Sequence, residues 1–375
     1  MNTFVPPPRT VFGSGSRARI ADVVGDARAV HVVSDEGVLE AGVVEQVTSH
    51  LAVEPTVHAD VSPNPDRETV LSLADRLADA DLVIGIGGGS VMDATKAACS
   101  IPTFPERAVS DLEITPETPV ADASARVPFV LVPTTAGTGT ETGHWAVISD
   151  HDRREKRSLG HPSMLANAAV LDPELTASLP PYLTAITGID VLTHALESLT
   201  ADGAAELTKP YSRRAYELVT DALVTAATES EDETLAAREQ LLSASYLAGV
   251  AMNNAGLGAV HAISHAIGGR HDLPHGRINA VLLPAVVRHN GERSPRARAE
   301  YASLVGTDRL PHDALADRIE QLLGSLDLEH APPGFPPELE CDDVAASAVE
   351  NINMSTDPVD YTADDVIEVC HRAFP

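Results

Sequence analysis

Short runs of β-branched and aliphatic residues alternate with helix-like segments through the first half of the chain. Ala29–Ser34 reads as a buried strand ending at Asp35, and Gly37–Leu51 as the helix that follows. Asp81–Ile86 is a second strand running into Gly87-Gly88-Gly89-Ser90, after which Val91–Ser100 restores helical spacing. Val127–Val132 is a third strand, leading into the small, polar stretch Pro133–Glu141. Ala168–Leu171 is a fourth, stopped by Asp172-Pro173. Continuous apolar strands separated by helices predict a mostly parallel sheet covered on both faces.

The texture changes after Leu179. From Tyr182 to about Ala285 the chain is rich in Ala and Leu at helical spacing, with few strand signals. Pro180 and Pro181 suit a boundary followed by a helix start. The predicted architecture is an α/β domain over 1–179 with a Rossmann-like parallel sheet, and an all-α domain over 180–375. The loop His330–Leu339, with four prolines, is expected on the surface. Thr362–Phe374 reads as a closing helix with Thr362 as its N-cap before Asp364 and Asp365.

Length and composition agree with this. A chain of 375 residues, 43% apolar, fills two ordinary globular cores. The longest apolar runs, Leu82–Ile86 and Phe129–Pro133, are far too short to cross a bilayer. Met1–Arg9 lacks the basic-then-apolar pattern of a secretory signal, so a cytoplasmic setting is expected. The formal charge of −29 comes with only three lysines, Lys96, Lys156 and Lys209. Acidic excess with scarce lysine suits concentrated salt, which screens the self-repulsion, and predicts a halophilic source. The same charge excludes nucleic acid as a partner, since that needs clustered Lys and Arg. Cys99, Cys341 and Cys370 are far apart with no CxxC pair, so neither a disulfide framework nor a thiolate metal site is expected.

Candidate chemistry falls into two groups. In the first half, a strand, three glycines and a helix beginning at Ser90 bring backbone N–H groups to the positive end of a helix dipole, a ready anion site. A tight strand-to-helix turn is the plain alternative. The stretch Thr134-Thr135-Ala136-Gly137-Thr138 adds hydroxyls and glycine at the end of another parallel strand, where open α/β sheets bind ligands. Asp35, after the first strand, is placed to accept from the ribose hydroxyls of a dinucleotide and to repel a 2′-phosphate, which favours NAD over NADP. Otherwise it is a turn residue. In the second half, Asp190 and His194 share a helix face at i, i+4, as do His261 and His265; His275 follows in Leu273-Pro274-His275-Gly276. Imidazoles with one carboxylate suit Fe²⁺ or Zn²⁺ better than Mg²⁺ or Ca²⁺.

In order and spacing, Asp81–Lys96, Pro133–Glu141, Leu171–Pro180, Thr187–Glu197 and Asn254–Asn279 resemble the iron-containing (group III) alcohol dehydrogenases across nearly the whole chain. The resemblance implies Fe²⁺ or Zn²⁺ held by Asp190, His194, His261 and His275. It implies NAD(P) in a cleft between the domains, with Gly88, Gly89 and Ser90 at the pyrophosphate, and Thr134, Thr135 and Thr138 on a second cofactor loop. Lys156 matches the family's lysine near the nicotinamide ribose. Trp145 falls where the family lines the substrate pocket, or else packs structurally. The substrate implied is a small alcohol or aldehyde, and the assembly a homo-oligomer, a dimer first. Such a metal is a Lewis acid toward the substrate oxygen, while the nicotinamide exchanges the hydride. His265 is a proton relay or a support for the metal, and His271 a weaker relay candidate. The sequence departs from the pattern at Thr142-Gly143-His144-Trp145, where Gly143 replaces a threonine near the nicotinamide. Maleylacetate reductases, glycerol-1-phosphate dehydrogenases and dehydroquinate synthases, with altered metal sets or chemistry, are the alternatives among enzymes. A metal- or nucleotide-binding protein without turnover is the alternative outside them.

Overall fold

The computed structural model describes residues 3–229, 231–271, 273–306, 309–328 and 341–374. The proline-rich stretch 330–339 lies outside them. The chain divides into two compact units, Val5–Leu179 and Pro180–Pro375, the second joined by Phe4, whose ring stacks on Tyr211.

The first unit is built on six parallel strands: β1 (Arg9–Phe12), β2 (Val30–Val33), β3 (Thr56–His58), β4 (Leu82–Gly87), β5 (Phe129–Pro133) and β8 (Ala168–Leu171). Their order is β1-β8-β5-β4-β2-β3. Every residue of β2, β4, β5 and β8 is buried, because both faces of the sheet are covered. Alternation then divides one strand between two cores. Val83 and Leu131 pack with the helix Gly89–Ser100, while Ile84, Ile86, Val130 and Val132 pack with Ile20 and Val43 on the other side.

Three features depart from the sequence reading. The expected helix 37–51 is two short helices, Glu36–Glu40 and Val43–Thr48, interrupted at Gly42 with φ 72°. The edge strands β1 and β3 join the sheet. Between β5 and β8 the chain forms an antiparallel hairpin of β6 (Trp145–Asp150) and β7 (Glu155–Gly160). Only Ala146, Ile148, Leu159 and Gly160 of this hairpin are buried, and its polar remainder hides the strand signal.

The strand order places a topological switch between β2 and β4, since the chain leaves β2 outward to β3 and returns past it to β4. Ligands of open α/β sheets bind at the carboxyl ends beside such a switch. Here those ends carry Ser34-Asp35 on one side and Gly87-Gly88-Gly89 on the other, tied by Ser34 Oγ donating to the Ile86 carbonyl at 2.8 Å.

Among its described residues the second unit has helices and connecting turns but no strand. Its helix Pro181–Thr200 begins with proline in the first turn and is buried from Thr184 onward except at Thr187, which is half-buried. Packed against it are Lys209–Thr228, Glu231–Ala255 and His275–Arg293. The closing helix Ala363–Ala373 starts with a reciprocal capping box between Thr362 and Asp365, as the Thr-x-x-Asp spacing favours.

Candidate functional site

In the first unit the glycine turn and the threonine loop are packed into one another. Gly88 caps the helix Gly89–Ser100 and Gly89 opens it. A methyl group added at Gly89 would stand 2.5 Å from Thr138 Cγ2, and one at Gly88 3.3 Å from Thr135 Cγ2. Thr134 N–H donates to the Gly87 carbonyl at 3.0 Å. Thr138 Oγ1 is buried with no hydrogen-bond partner. Ser90 Oγ accepts from the Asn64 N–H at 3.3 Å, and Asn64 Oδ1 accepts from Lys156 Nζ at 2.9 Å. Lys156, far away in sequence on β7, is thereby linked to the glycine turn through Asn64, whose backbone is left-handed at φ 55°. That link went unread because Ser-Pro-Asn-Pro looks like an ordinary loop. Asp35 caps the helix Glu36–Glu40, its Oδ1 accepting from Val38 N–H at 2.8 Å. The turn role and a ligand role are compatible, as that bond uses one carboxylate oxygen.

Behind these loops lies a closed charge cluster. Lys96, fully buried, donates to Thr140 Oγ1 at 2.6 Å and to the Trp145 carbonyl at 2.7 Å. Thr140 in turn donates to Asp93, which also accepts from Val147 N–H at 2.9 Å. The cluster ties the hairpin to the helix Gly89–Ser100. Burial lowers the Lys96 ammonium to about 8, against the pull of Asp93 and Glu141. Burial also pushes the Glu141 carboxyl up to about 7. The Trp145 indole lies over Gly160, where a methyl group would meet its ring at 2.2 Å. Its packing across the hairpin follows from that missing side chain.

In the second unit three helices converge. Asp190 and His194 lie on Pro181–Thr200, His261 and His265 on Ala259–Arg270, and His275 opens His275–Arg293. Gly276 lets the last of these approach: a Cβ there would stand 2.1 Å from the Ile186 carbonyl oxygen. The backbone contact brings His275 beside Asp190, one turn further along. The Nε2 atoms of His194, His261 and His275 lie 3.7, 3.5 and 3.7 Å from Asp190 Oδ1. Ligand atoms of Asp190, His261 and His275 all lie within 4.8 Å of one another. The His194 ring stacks on His261 at 4.6 Å between centroids. His265 is buried with its ring 5.3 Å from His275. His271 takes no part in this ring cluster; it ends the 259–270 helix, with a buried Nε2 that lacks a hydrogen-bond partner.

Electrostatics concentrate on one oxygen. Burial pushes the Asp190 carboxyl upward, but the three imidazoles overcome it and hold the group below the ordinary carboxylate range. Burial likewise disfavours charge on His261, yet Glu197 and Asp190 raise it to about 9. Two residues here escaped the sequence reading. Glu197 Oε2 meets His261 Nδ1 at 2.5 Å, and Asn279 Nδ2 donates to Asp190 Oδ1 at 2.8 Å. Both were within reach of helical spacing: Glu197 is i+7 from Asp190, and Asn279 is i+4 from His275.

Comparison with known proteins identifies the family. The iron-containing alcohol dehydrogenase family matches residues 7–173, and the C-terminal Fe-containing alcohol dehydrogenase family matches 184–374. A 1-propanol dehydrogenase of Salmonella typhimurium is 36% identical over 308 residues, spanning 81% of this chain and 77% of that protein. A probable alcohol dehydrogenase, EutG, of the same organism is 34% identical over 381 residues, 98% of this chain and 94% of the other. Among solved structures, a 1,3-propanediol oxidoreductase superposes with a TM-score of 0.90 at 28% identity over the full length of both chains. An archaeal halo-thermophilic alcohol dehydrogenase from a Red Sea brine pool gives 0.89 at 26% identity, over 100% of this chain and 98% of that one. The chain belongs to the iron-containing alcohol dehydrogenase family.

Proposed function

We propose that this family member oxidises small alcohols and reduces the matching aldehydes with NAD, and that Asp190, His194, His261 and His275 hold its metal, iron before zinc. The observation that carries the metal assignment is that ligand atoms of Asp190, His261 and His275 lie within 4.8 Å of one another, with His194 Nε2 3.7 Å from Asp190 Oδ1 at their edge. Donor atoms about 2.1 Å from a tetrahedral ion stand about 3.4 Å apart. His261 Nε2 is buried without a hydrogen-bond partner, which an apolar or purely structural site has no reason to maintain. These residues fit a borderline-soft divalent cation.

When bound, the ion supplies Lewis acidity to the substrate oxygen, and the nicotinamide supplies the hydride acceptor. The chain's own residues do the rest. Asp190 brings the single negative charge among the donors, and the imidazoles bind as neutral bases, so metal uptake releases protons. Their hold is therefore weakened by acid. His265 stands beside His275, where it relays a proton or supports the donors. In the first unit the N-terminus of Gly89–Ser100, with Ser90 and the Thr134, Thr135 and Thr138 loop, holds the diphosphate, and buried Thr138 Oγ1 is an available donor. Lys156 would face the nicotinamide ribose. The second carboxylate oxygen of Asp35 would accept from the adenosine ribose hydroxyls.

We also read the charge of −29 with three lysines as an adaptation to concentrated salt, in a cytoplasm that keeps Cys99, Cys341 and Cys370 as free thiols, and the working assembly as a dimer. The decisive experiment is a panel of alcohols and aldehydes with NAD and NADP, run on iron-loaded protein in molar KCl. Reversible hydride transfer to short-chain alcohols is the expected result. Stoichiometric metal without turnover on any member would make this a binding protein instead.

A further inference from the structure

Two buried carboxylates from distant parts of the second unit meet the same helix end. The helix Ala259–Arg270 has no capping side chain of its own, as its N-cap is Gly258. Asp357 Oδ2 accepts from Ala259 N–H at 2.8 Å, and Glu197 Oε1 accepts from Val260 N–H at 2.6 Å. Gly258 makes the room: a methyl group there would stand 2.5 Å from Asp357 Oδ2 and 3.1 Å from Glu197 Oε1. Both carboxylates are buried, at 5% exposure each. The positive end of the helix dipole and the N–H donors offset the cost of that burial.

The two residues differ in what else they touch. Asp357 takes further hydrogen bonds from Asn290 Nδ2 at 3.2 Å and Val359 N–H at 3.0 Å, and holds the chain near the helix. Glu197 uses its second oxygen on His261 Nδ1 at 2.5 Å. With one oxygen committed to the Val260 N–H, Glu197 meets His261 only as an acceptor. When His261 is neutral, as a metal ligand must be, this contact keeps its one proton on Nδ1 and leaves the lone pair on Nε2, the atom 3.5 Å from Asp190 Oδ1.

We propose that Glu197 is a positioning residue: anchored by the first turn of the 259–270 helix, it sets the tautomer and orientation of His261 and thereby the affinity of the donor cluster for its metal. The proposal rests on the metal assignment above. Its chemistry is that of a histidine ligand whose second nitrogen donates to a carboxylate, an arrangement whose loss typically weakens metal binding about 10- to 100-fold.

The two acceptor roles of Glu197 impose an unusual ranking of substitutions. Glu197→Gln is nearly isosteric, but an amide offers one acceptor and one donor. If its oxygen keeps the Val260 N–H, its NH2 faces Nδ1, moves the imidazole proton to Nε2 and blocks the coordinating lone pair. If its oxygen serves Nδ1–H instead, the NH2 faces the Val260 N–H and the cap is lost. Glu197→Ala leaves room for water, which accepts from both donors. Glu197→Gln is thus expected to bind metal more weakly than the more drastic Glu197→Ala.

The test is zinc titration of the full-length apoprotein against a chromogenic chelator, with melting temperature of the apoprotein as the measure of structure. Expected results are a 10- to 100-fold weaker zinc affinity for Glu197→Gln and a smaller loss, above threefold, for Glu197→Ala. Asp357→Asn is expected to lower the melting temperature while leaving zinc affinity within threefold. Glu197→Gln within threefold of wild type, or an equal loss in Asp357→Asn, overturns the proposal. Should Glu197→Gln not fold, Glu197→Ala within threefold of wild type does the same. His275→Ala separates this from the assignment beneath it. If wild type binds zinc and His275→Ala binds as tightly, the metal assignment itself fails, and the proposal with it.

Discussion

The two units bury charge in opposite ways. In the first, Lys96 is enclosed by Asp93, Thr140 and the Trp145 carbonyl, and its hydrogen bonds close within the protein. In the second, three imidazoles point at one carboxylate oxygen from 3.5 to 3.7 Å, too far to bond to it well and too near to ignore it. The first arrangement serves to lock the hairpin to the 89–100 helix, with the buried Glu141 carboxylate beside it lacking a hydrogen-bond partner. The second is the cluster proposed above to hold a metal. Buried charge is thus not by itself a sign of a functional site; convergence of several donor atoms on a shared point is the better sign.

This contrast is open to attack at several points, the largest effect first. His275→Ala removes a donor that no neighbour can replace, and is expected to abolish both metal content and turnover, read by elemental analysis and a dehydrogenase assay. Lys96→Met tests the closed cluster. The variant loses two buried hydrogen bonds and leaves the buried Asp93 and Glu141 carboxylates without their neighbouring cation, at a cost of about 3–5 kcal/mol, so it should unfold at markedly lower urea while its purified folded form keeps stoichiometric metal. Loss of metal with intact stability would reverse the roles given to the two clusters.

Asp35→Gly probes the ligand end of the first unit. The N-cap role shown here costs only a few tenths of a kcal/mol on replacement by glycine. Relief of repulsion toward a 2′-phosphate is expected to shift the ratio of kcat/KM values toward NADP by about ten- to a hundredfold. An unchanged ratio leaves Asp35 a helix cap and nothing more. A further effect, confined to acid, lies beside Lys96. Burial, then the charges of Lys96 and His161, lower the His144 imidazole to about 4, against about 6.5 in the unfolded chain. Between those values the unfolded chain binds a proton that the folded chain refuses. Stability is therefore whole above pH 6.5 and falls toward pH 4 by about 1 kcal/mol per unit. His144→Asn should flatten that limb in urea titrations.

Legibility in the sequence followed burial. The runs at β4 and β5 were readable because both faces of those strands are covered, which removes every polar position. β1, β3 and the hairpin were not, because an edge strand of three or four residues, or a strand reading Glu-Lys-Arg-Ser, carries no such run. The helix expected over 37–51 fails at one residue, Gly42, whose left-handed backbone stops the first helix and starts the second. At the site, pairs within one helix were legible from spacing alone: Asp190 with His194, and His261 with His265. What joins them is not written locally. His275 reaches Asp190 because Gly276 permits two backbones to touch, and Lys156 reaches Ser90 through an asparagine 92 positions away from the lysine. Glu197 obeyed the helical spacing and was still passed over, since a glutamate on a helix ordinarily faces water.

The helix Pro181–Thr200 carries Asp190, His194 and Glu197 while offering almost no surface to solvent beyond its first turn. An amphipathic helix drifts through its wet face, where substitutions are cheap. This one has no wet face in the stretch that matters, so each exchange there must be matched by a neighbour that changes with it. Its sequence is expected to evolve in correlated steps with the helices that wrap it, and to resist one-at-a-time redesign of the reaction.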